Sequence, residues 1–135
     1  MTDRVWTGRR IVGGQASGAA LVSLSPMSFL GDIDIRTGRV VEERSDICGL
    51  CIAGRILVVP QSRGSAGAWR FLYQLHQHGT HPAALLTEGV PDPSVVQGAI
   101  MCGIPIVASV ARALSAGDVN GRTLSVSGET IRLDG

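Results

Sequence analysis

One short segment of the chain combines residue types that could bind an anion and move a proton. Residues 60–67 read Pro-Gln-Ser-Arg-Gly-Ser-Ala-Gly and join an apolar run to a helical pattern. Free N–H groups and the dipole at a helix start favour an oxyanion or a carboxylate, and Arg63 could add a two-pronged clamp. Gly64 and Gly67 let a ligand approach the backbone. The segment is therefore the first candidate for a binding or catalytic site.

The same eight residues also describe an ordinary loop between a strand and a helix. In that interpretation Ser65 caps the helix and Arg63 is solvated. A Walker loop is excluded because the G-K-[ST] lysine is absent, and no G-x-S-x-G elbow is present. Local sequence leaves the functional and the structural interpretations open.

Two further groups could hold a metal or carry redox chemistry. Cys48 and Cys51 form a C-x-x-C, but only Cys102 remains as a third thiol and no second pair exists. We interpret these as buried or inactive thiols of unassigned role. The histidines and the loop acids are interpreted as a helix terminus and as solvated residues, with no metal assigned; they are His76, His78, His81, Glu42, Glu43, Glu88 and Asp92.

The elements that must position these residues follow from the apolar spacing. Short strands are predicted at residues 10–12, 19–24, 33–35, 40–42 and 55–59, with a hairpin turn at 36–39. A βαβαβ centre follows: a helix at 65–78, a strand at 83–86, a helix at 94–102 capped by Ser94, and a strand at 106–108. Paired strands at 123–126 and 130–133 end the chain. This order indicates an α/β domain with barrel-like or layered β/β/α mixed sheets and two main helices, and it lacks a dinucleotide-binding G-x-G-x-x-G.

Size and charge exclude several classes of function. The 135 residues predict one domain spanning 1–135, and the formal charge of +1 argues against a nucleic-acid partner. All twelve basic residues are arginine, so lysine Schiff-base chemistry is excluded. No segment is apolar enough for a signal peptide or a membrane span, and three cysteines suit a reducing compartment. We expect a soluble cytoplasmic protein.

Seven segments, in order along the chain, resemble the aconitase X small-subunit, or swivel-domain, family. They lie at residues 13–16 (Gly-Gly-Gln-Ala), 25–31 (Ser-Pro-Met-Ser-Phe-Leu-Gly), 37–38 (Thr-Gly), 54–60 (Gly-Arg-Ile-Leu-Val-Val-Pro), 62–65 (Ser-Arg-Gly-Ser), 81–84 (His-Pro-Ala-Ala) and 103–107 (Gly-Ile-Pro-Ile-Val). The resemblance covers about residues 11–110. The ordered combination is more specific than any one segment.

The resemblance implies a swivelling β/β/α domain that works with a large subunit. It implies a hydro-lyase, in which Ser65 acts as general base beside a carboxylate of a small hydroxy acid. Arg63 would bind the substrate carboxylate, and Ser62 and Gly64 would shape the pocket. An iron–sulfur cluster is expected on the large subunit and none on this chain.

Within that family the substrates are cis-3-hydroxy-L-proline in bacteria and mevalonate 5-phosphate in archaea. The arginine-only composition favours a bacterial source and therefore the hydroxyproline substrate, with a phosphomevalonate dehydratase small subunit as the alternative. A non-catalytic swivel or binding module is a further alternative, with the three histidines as phosphotransfer candidates. Residues 13–18 and 25–31 could also form a homo-oligomer face when the chain is isolated.

Overall fold

The residues that the structure describes form ten strands and three helices. The computed structural model of the chain describes residues 4–29, 31–63 and 67–134, and at Arg63 the backbone alone. The strands are β1 Val5–Thr7, β2 Arg9–Val12, β3 Gln15–Val22, β4 Met27–Ser28, β5 Ile56–Val59, β6 Ser62–Arg63, β7 Ala84–Thr87, β8 Ile106–Ala108, β9 Thr123–Ser127 and β10 Thr130–Leu133. The helices are α1 Ala68–Gln77, α2 Pro93–Cys102 and α3 Ala111–Ala116.

Eight strands form one mixed sheet in the order β1-β10-β9-β3-β5-β7-β8-β2. Its centre is parallel, because β3, β5, β7 and β8 pair in the same direction. Antiparallel strands flank this centre, with β9 beside β3 and β2 beside β8. The remaining strands, β4 and β6, form a separate two-stranded parallel sheet. Three of the parallel strands, β5, β7 and β8, form with α1 and α2 the βαβαβ unit that the sequence predicts, and β3 adds a fourth parallel strand.

Both faces of the central strands are buried, which explains their continuous apolar sequences. On β5, Leu57 and Val59 pack in the cluster that contains α1 and α2. Ile56 and Val58 pack in the opposite cluster, with α3 and the β9–β10 hairpin. One face of the sheet is therefore covered by the two longer helices and the other by a short helix and returning strands.

Close contact between α1 and α2 depends on a glycine. A Cβ atom built on Gly98 of α2 would lie 3.0 Å from the Trp69 Cα atom and 3.1 Å from the Leu72 Cβ atom of α1. These distances are shorter than ordinary van der Waals contact. Gly98 therefore lets α2 approach the first turns of α1.

The structure confirms the mixed α/β domain with two main helices, each of ten residues. It corrects the predicted strands at 33–35 and 40–42, where only a single bridge joins Ile33 to Val40. The Ile35 carbonyl accepts a hydrogen bond from the Thr80 hydroxyl instead of one from a strand partner. The bridge consists of two backbone bonds, from the Asp34 N–H to the Arg39 carbonyl and from the Val41 N–H to the Asp32 carbonyl, and the pairing does not extend into a ladder.

Several elements were missed by the sequence patterns, namely β1, β4, β6 and α3. β4 and β6 have two residues each, too few to show a period. α3 has six residues, which is less than two turns. Among the described residues, no helix is long and apolar enough to cross a membrane.

We expect Gly98→Val to reduce the free energy of unfolding by about 1–3 kcal/mol, because the added side chain overpacks the contact with α1. Gln97→Val is the matched control, since Gln97 is the exposed neighbour on the same helix. Its cost should stay near 0.5 kcal/mol or below. Urea unfolding of both variants measures the difference, and equal stability would show that the helix contact is loose.

Candidate active site

The candidate segment contains β6, which pairs with β4, a strand far from it in sequence. Met27 lies opposite Ser62 and Ser28 lies opposite Arg63 in the β4–β6 sheet. The Met27 N–H also donates to the Gln61 carbonyl at 3.0 Å. The segments 25–31 and 62–65 are far apart in sequence, yet their described residues lie side by side.

This pairing lies at the end of the sheet where the parallel strands finish. We call it the carboxyl edge, defined by the residues that follow β3, β5, β7 and β8: Ser23, Pro60, Glu88 and Ser109. Ligands bind open parallel sheets at this edge, because the loops there leave the strands in the same direction. The candidate segment therefore occupies the position that an α/β fold favours for a site.

An aspartate outside the segment holds the loop after β3. The Asp46 carboxylate accepts the Ser23 hydroxyl proton at 2.6 Å and the Leu24 N–H at 2.7 Å. Ser23 is buried, and its N–H donates to the Val58 carbonyl at 2.8 Å. Asp46 thus joins this loop to its own loop three residues before β4 begins, while the Ser23 N–H ties the loop to the sheet.

Hydrogen bonds also lower the pKa of Asp46. Burial acts to raise the pKa of its carboxyl, but the hydrogen bonds to the carboxylate, chiefly those from Leu24 and Ser23, together hold the pKa below its ordinary value. The residue is largely exposed, so solvent weakens the electrostatic contribution. The carboxylate is therefore ionised whenever the pH is near neutral.

The loop after β5 is also joined to the loop after β7. The Gln61 side-chain amide donates to the Val90 carbonyl at 3.2 Å. Gly89 accommodates this side chain, because a Cβ atom there would lie 2.2 Å from the Gln61 Oε1 atom. The Glu88 N–H donates to the Pro60 carbonyl at 3.1 Å. The first residues after β5 are thus fixed from both neighbouring strands.

At the other end of the segment, α1 begins without a side-chain cap of its own. Its N-cap is Gly67, two positions after Ser65, so the interpretation of Ser65 as the N-cap residue is wrong. The Trp69 N–H of the first turn donates instead to the Ser94 hydroxyl oxygen of α2 at 3.0 Å. The prediction that Ser94 caps α2 is also wrong, since the N-cap of α2 is Asp92 and Pro93 follows it.

Two cavities open beside the segment's anchors. One, of about 410 Å³, is lined by Ser25, Pro26, Ser28, Asp32, Glu42, Arg44 and Ser45. The other, of about 180 Å³, is lined by Ser23, Leu24, Pro60, Glu88, Ala111, Arg112 and Ser115. Both are open to solvent and both touch the loop after β3. The site edge can therefore accept a small polar molecule but does not enclose it.

The predicted site residues have different outcomes. Ser62 lies on β6 with its side chain fully buried, and its hydroxyl has no hydrogen-bond partner among the described residues. Arg63 lies on the same strand, where its backbone pairs with β4. Gly64 and Ser65 lie outside the described residues. The roles predicted for these four residues stay predictions.

The cysteines and histidines do not form a metal centre in the described part of the chain. No group of three or more metal-ligating side chains occurs there. The cysteines are free but not buried as a set, because Cys48 is exposed; burial raises the pKa of the Cys102 thiol. His76 lies in the last turn of α1, as the sequence predicts, and its ring lies 4.9 Å from that of His81. Burial lowers the pKa of His81, and electrostatic repulsion from His76 lowers it further by a smaller amount.

Sequence reasoning missed Asp46 and Ser94 as supports of the site. Asp46 lies 23 residues from Ser23, and Ser94 lies 25 residues from Trp69. Neither pair has a spacing that predicts contact. Both were ordinary polar loop or helix-start residues until the fold placed their partners beside them.

Comparison with known proteins identifies this arrangement. A family model described as the aconitase X swivel domain matches residues 5–133. The chain belongs to the aconitase X swivel domain family. The match extends the resemblance seen in the sequence toward both ends of the chain.

Relatives of this swivel domain include archaeal dehydratase subunits. The phosphomevalonate dehydratase small subunit of Thermococcus gammatolerans is 43% identical over 103 residues, 76% of this chain and 78% of that protein. The protein of the same description from Methanosarcina mazei is 43% identical over 100 residues, 74% of this chain and 69% of its own length. These matches show that the chain is the small subunit of an aconitase-like dehydratase.

Solved structures agree with the fold of this swivel domain. Thermococcus kodakaraensis aconitase X, crystallised in its holo-form, superposes with a TM-score of 0.86 and 34% identity, over 98% of this chain and 99% of that one. A UPF0107 protein solved by solution NMR gives a TM-score of 0.84 and 31% identity, over 98% and 100% of the two chains. Both likenesses cover nearly the whole domain.

The relatives correct the balance between the two predicted substrates. The composition argument favoured cis-3-hydroxy-L-proline, whereas the relatives are described as phosphomevalonate dehydratase small subunits. The alternative is therefore better supported. Arginine content reflects codon usage as readily as chemistry, so it had no physical connection to the substrate.

We expect Asp46→Ala to reduce the free energy of unfolding by about 1 kcal/mol at pH 7, after allowance for solvent screening. The folded-state pKa is depressed, so this contribution is present above the unfolded-state value and is lost as the pH falls through the folded value. The difference from the unmodified chain should therefore shrink below about pH 4. Glu43→Ala, which removes the same charge from an exposed neighbour, should show no comparable change; urea titrations between pH 3 and pH 7 would detect either result.

Proposed function

We propose that this swivel domain is the small subunit of a dehydratase acting on mevalonate 5-phosphate and active only with its large subunit. The observation that carries the substrate is the identity of 43% to phosphomevalonate dehydratase small subunits over three quarters of the chain. The β4–β6 pairing supports the same proposal, because it brings residues of two of the segments that resemble the family, 25–31 and 62–65, together at the carboxyl edge.

In this proposal the reaction removes a proton and a hydroxyl group from adjacent carbons. The Ser65 oxygen takes the proton from the carbon beside the carboxylate. The electron pair of that C–H bond forms the new double bond as hydroxide leaves the next carbon, and proton and hydroxide make up the water lost. Arg63 binds the carboxylate through two hydrogen bonds, and Ser62 and Gly64 shape the backbone beside it.

A serine needs substantial help to act as a base. A helix N-terminus contributes about 2 kcal/mol at most, which is less than two pKa units. The Trp69 N–H of α1 is already used by Ser94 and is not available to a serine oxyanion. Further activation must come from donors in a closed site that excludes water. The open cavities of this domain make the large subunit the natural source of that closure.

The iron–sulfur cluster that the family implies does not fit the described cysteines of this chain. The Cys51 thiol donates to the Thr37 carbonyl, and the Cys102 thiol lies against the Leu72 carbonyl in the helix layer. The described residues contain no ligand set of three. We therefore place the cluster on the large subunit and assign departure of the hydroxyl group to that chain. The free cysteines suit a reducing compartment, and we propose the cytoplasm.

We expect Ser65→Ala to lower kcat of the assembled complex by about 10²–10⁴-fold, the usual contribution of a positioned general base. Assembly and circular dichroism should be unchanged. Ser127→Ala is the control, because Ser127 is an exposed serine at the far end of β9. Retention of full activity by Ser65→Ala would reject Ser65 as the base.

We also expect the complex with the large subunit to dehydrate mevalonate 5-phosphate and to leave cis-3-hydroxy-L-proline unchanged. Phosphorus NMR measures the loss of mevalonate 5-phosphate, and mass spectrometry measures the loss of cis-3-hydroxy-L-proline. Turnover of hydroxyproline alone would contradict the proposed substrate and restore the alternative.

Labelling with phosphoenolpyruvate should leave His76, His78 and His81 unmodified, whereas phosphohistidine would favour a phosphotransfer module.

A further inference from the structure

The segment of residues 62–67 is anchored at its two ends by different means. Upstream, β6 pairs with β4 through the backbone. Downstream, the chain enters α1 at Gly67, which has no side chain to cap the helix. The first turn of α1 depends on the Ser94 hydroxyl, which accepts the Trp69 N–H at 3.0 Å. A residue 25 positions away thus supplies the contact that a local cap usually provides.

Ser94 holds its hydroxyl in place because α2 is itself fixed. Pro93 begins the helix, and its ring presets the backbone of the first turn. Val95 and Ala99 of α2 are buried in the cluster that includes Leu72 of α1. The two helices also lie close together at Gly98, where a Cβ atom would be only 3.0 Å from the Trp69 Cα atom. The hydroxyl therefore acts from a packed helix on the first turn of α1, the turn that follows Ser65 in the sequence.

We propose that Ser94 is a positioning residue of the dehydration reaction. Its hydroxyl fixes the first turn of α1, the helix that Ser65 precedes by three residues in the sequence. This inference rests on the proposed function, because it assumes that the segment carries the base. Ser94 acts through Trp69 and is not assigned a contact with substrate.

A general base fails when it moves a short distance from the proton that it must take. A helix whose first turn lacks a cap frays, since its first N–H groups have no partner within the helix. A displacement of about 1 Å at a reacting group can cost about 10²-fold in rate. A hydroxyl at position 94 opposes that movement at the turn that follows the segment. Removal of the hydroxyl should lower kcat while leaving the sheet and the partner surface in place.

The decisive comparison is Ser94→Thr against Ser94→Val in the assembled complex. The two side chains have nearly the same shape, and only threonine keeps the hydroxyl. We expect kcat within about 3-fold of the unmodified complex for Ser94→Thr and at least about 10-fold lower for Ser94→Val. KM should change less than kcat, because the base acts mainly on the transition state.

A second readout reports the hydrogen bond itself. Hydrogen–deuterium exchange of a peptide containing Trp69 should be faster in Ser94→Val than in Ser94→Thr, because the amide has lost its acceptor. Ser125→Ala is the control at a remote position, because the Ser125 hydroxyl bonds to Asp134 and not to α1. Ser125 pairs with Ser17 of β3, which lies five residues, about 17 Å, before the carboxyl edge. It should change neither kcat nor exchange at Trp69.

Each outcome decides the proposal. Equal kcat losses in Ser94→Thr and Ser94→Val, unchanged exchange at Trp69, or full activity of Ser94→Val with faster exchange would each overturn it. Should Ser94→Val fail to assemble, Ser94→Ala replaces it, because it removes the same hydroxyl without added methyl groups. If the unmodified complex dehydrates neither substrate, the proposed function fails, and the exchange comparison still decides whether the hydroxyl fixes the turn.

Discussion

The pairing of β4 with β6 is the interaction on which the candidate site depends. It consists of two residue pairs, Met27 with Ser62 and Ser28 with Arg63. The bond from the Met27 N–H to the Gln61 carbonyl is one of the hydrogen bonds of this ladder. Such a short ladder has little stability alone, because few backbone hydrogen bonds offset the ordering of two loops. It persists because the chain on either side is fixed by other groups.

Those groups belong to three different parts of the fold. Asp46 joins the loop before β4 to the loop that contains Asp46, and Gln61 joins the loop before β6 to the loop after β7. Ser94 of α2 holds the first turn of α1, which follows the segment. The first two contacts therefore link loops to one another, and the third links two helices. The short β4–β6 ladder is thus held by groups outside its own two strands.

The proposed function assigns closure of the site to the large subunit. The two cavities at the carboxyl edge are open, and the side chain of Leu24 beside them is 73% exposed. A serine base requires exclusion of water and several donors. In the proposal, the small subunit therefore carries the base and the large subunit encloses the substrate. The proposal also places the iron–sulfur cluster on the large subunit, because the described residues contain no group of three metal-ligating side chains.

By itself, the sequence determined the apolar strands of the centre, the two main helices, the location of the candidate segment and the family. These features depend on local spacing, which reports burial and turns over a few residues. The tertiary structure alone decided that Met27 pairs with Ser62 and that Ser94 caps α1 rather than α2. It also replaced the predicted strands at 33–35 and 40–42 with loop contacts such as that of Thr80. The residues in each of these contacts lie 25 to 45 positions apart in the sequence. Which of them meet depends on how the loops return across the sheet, and no local hydrophobic period encodes that path.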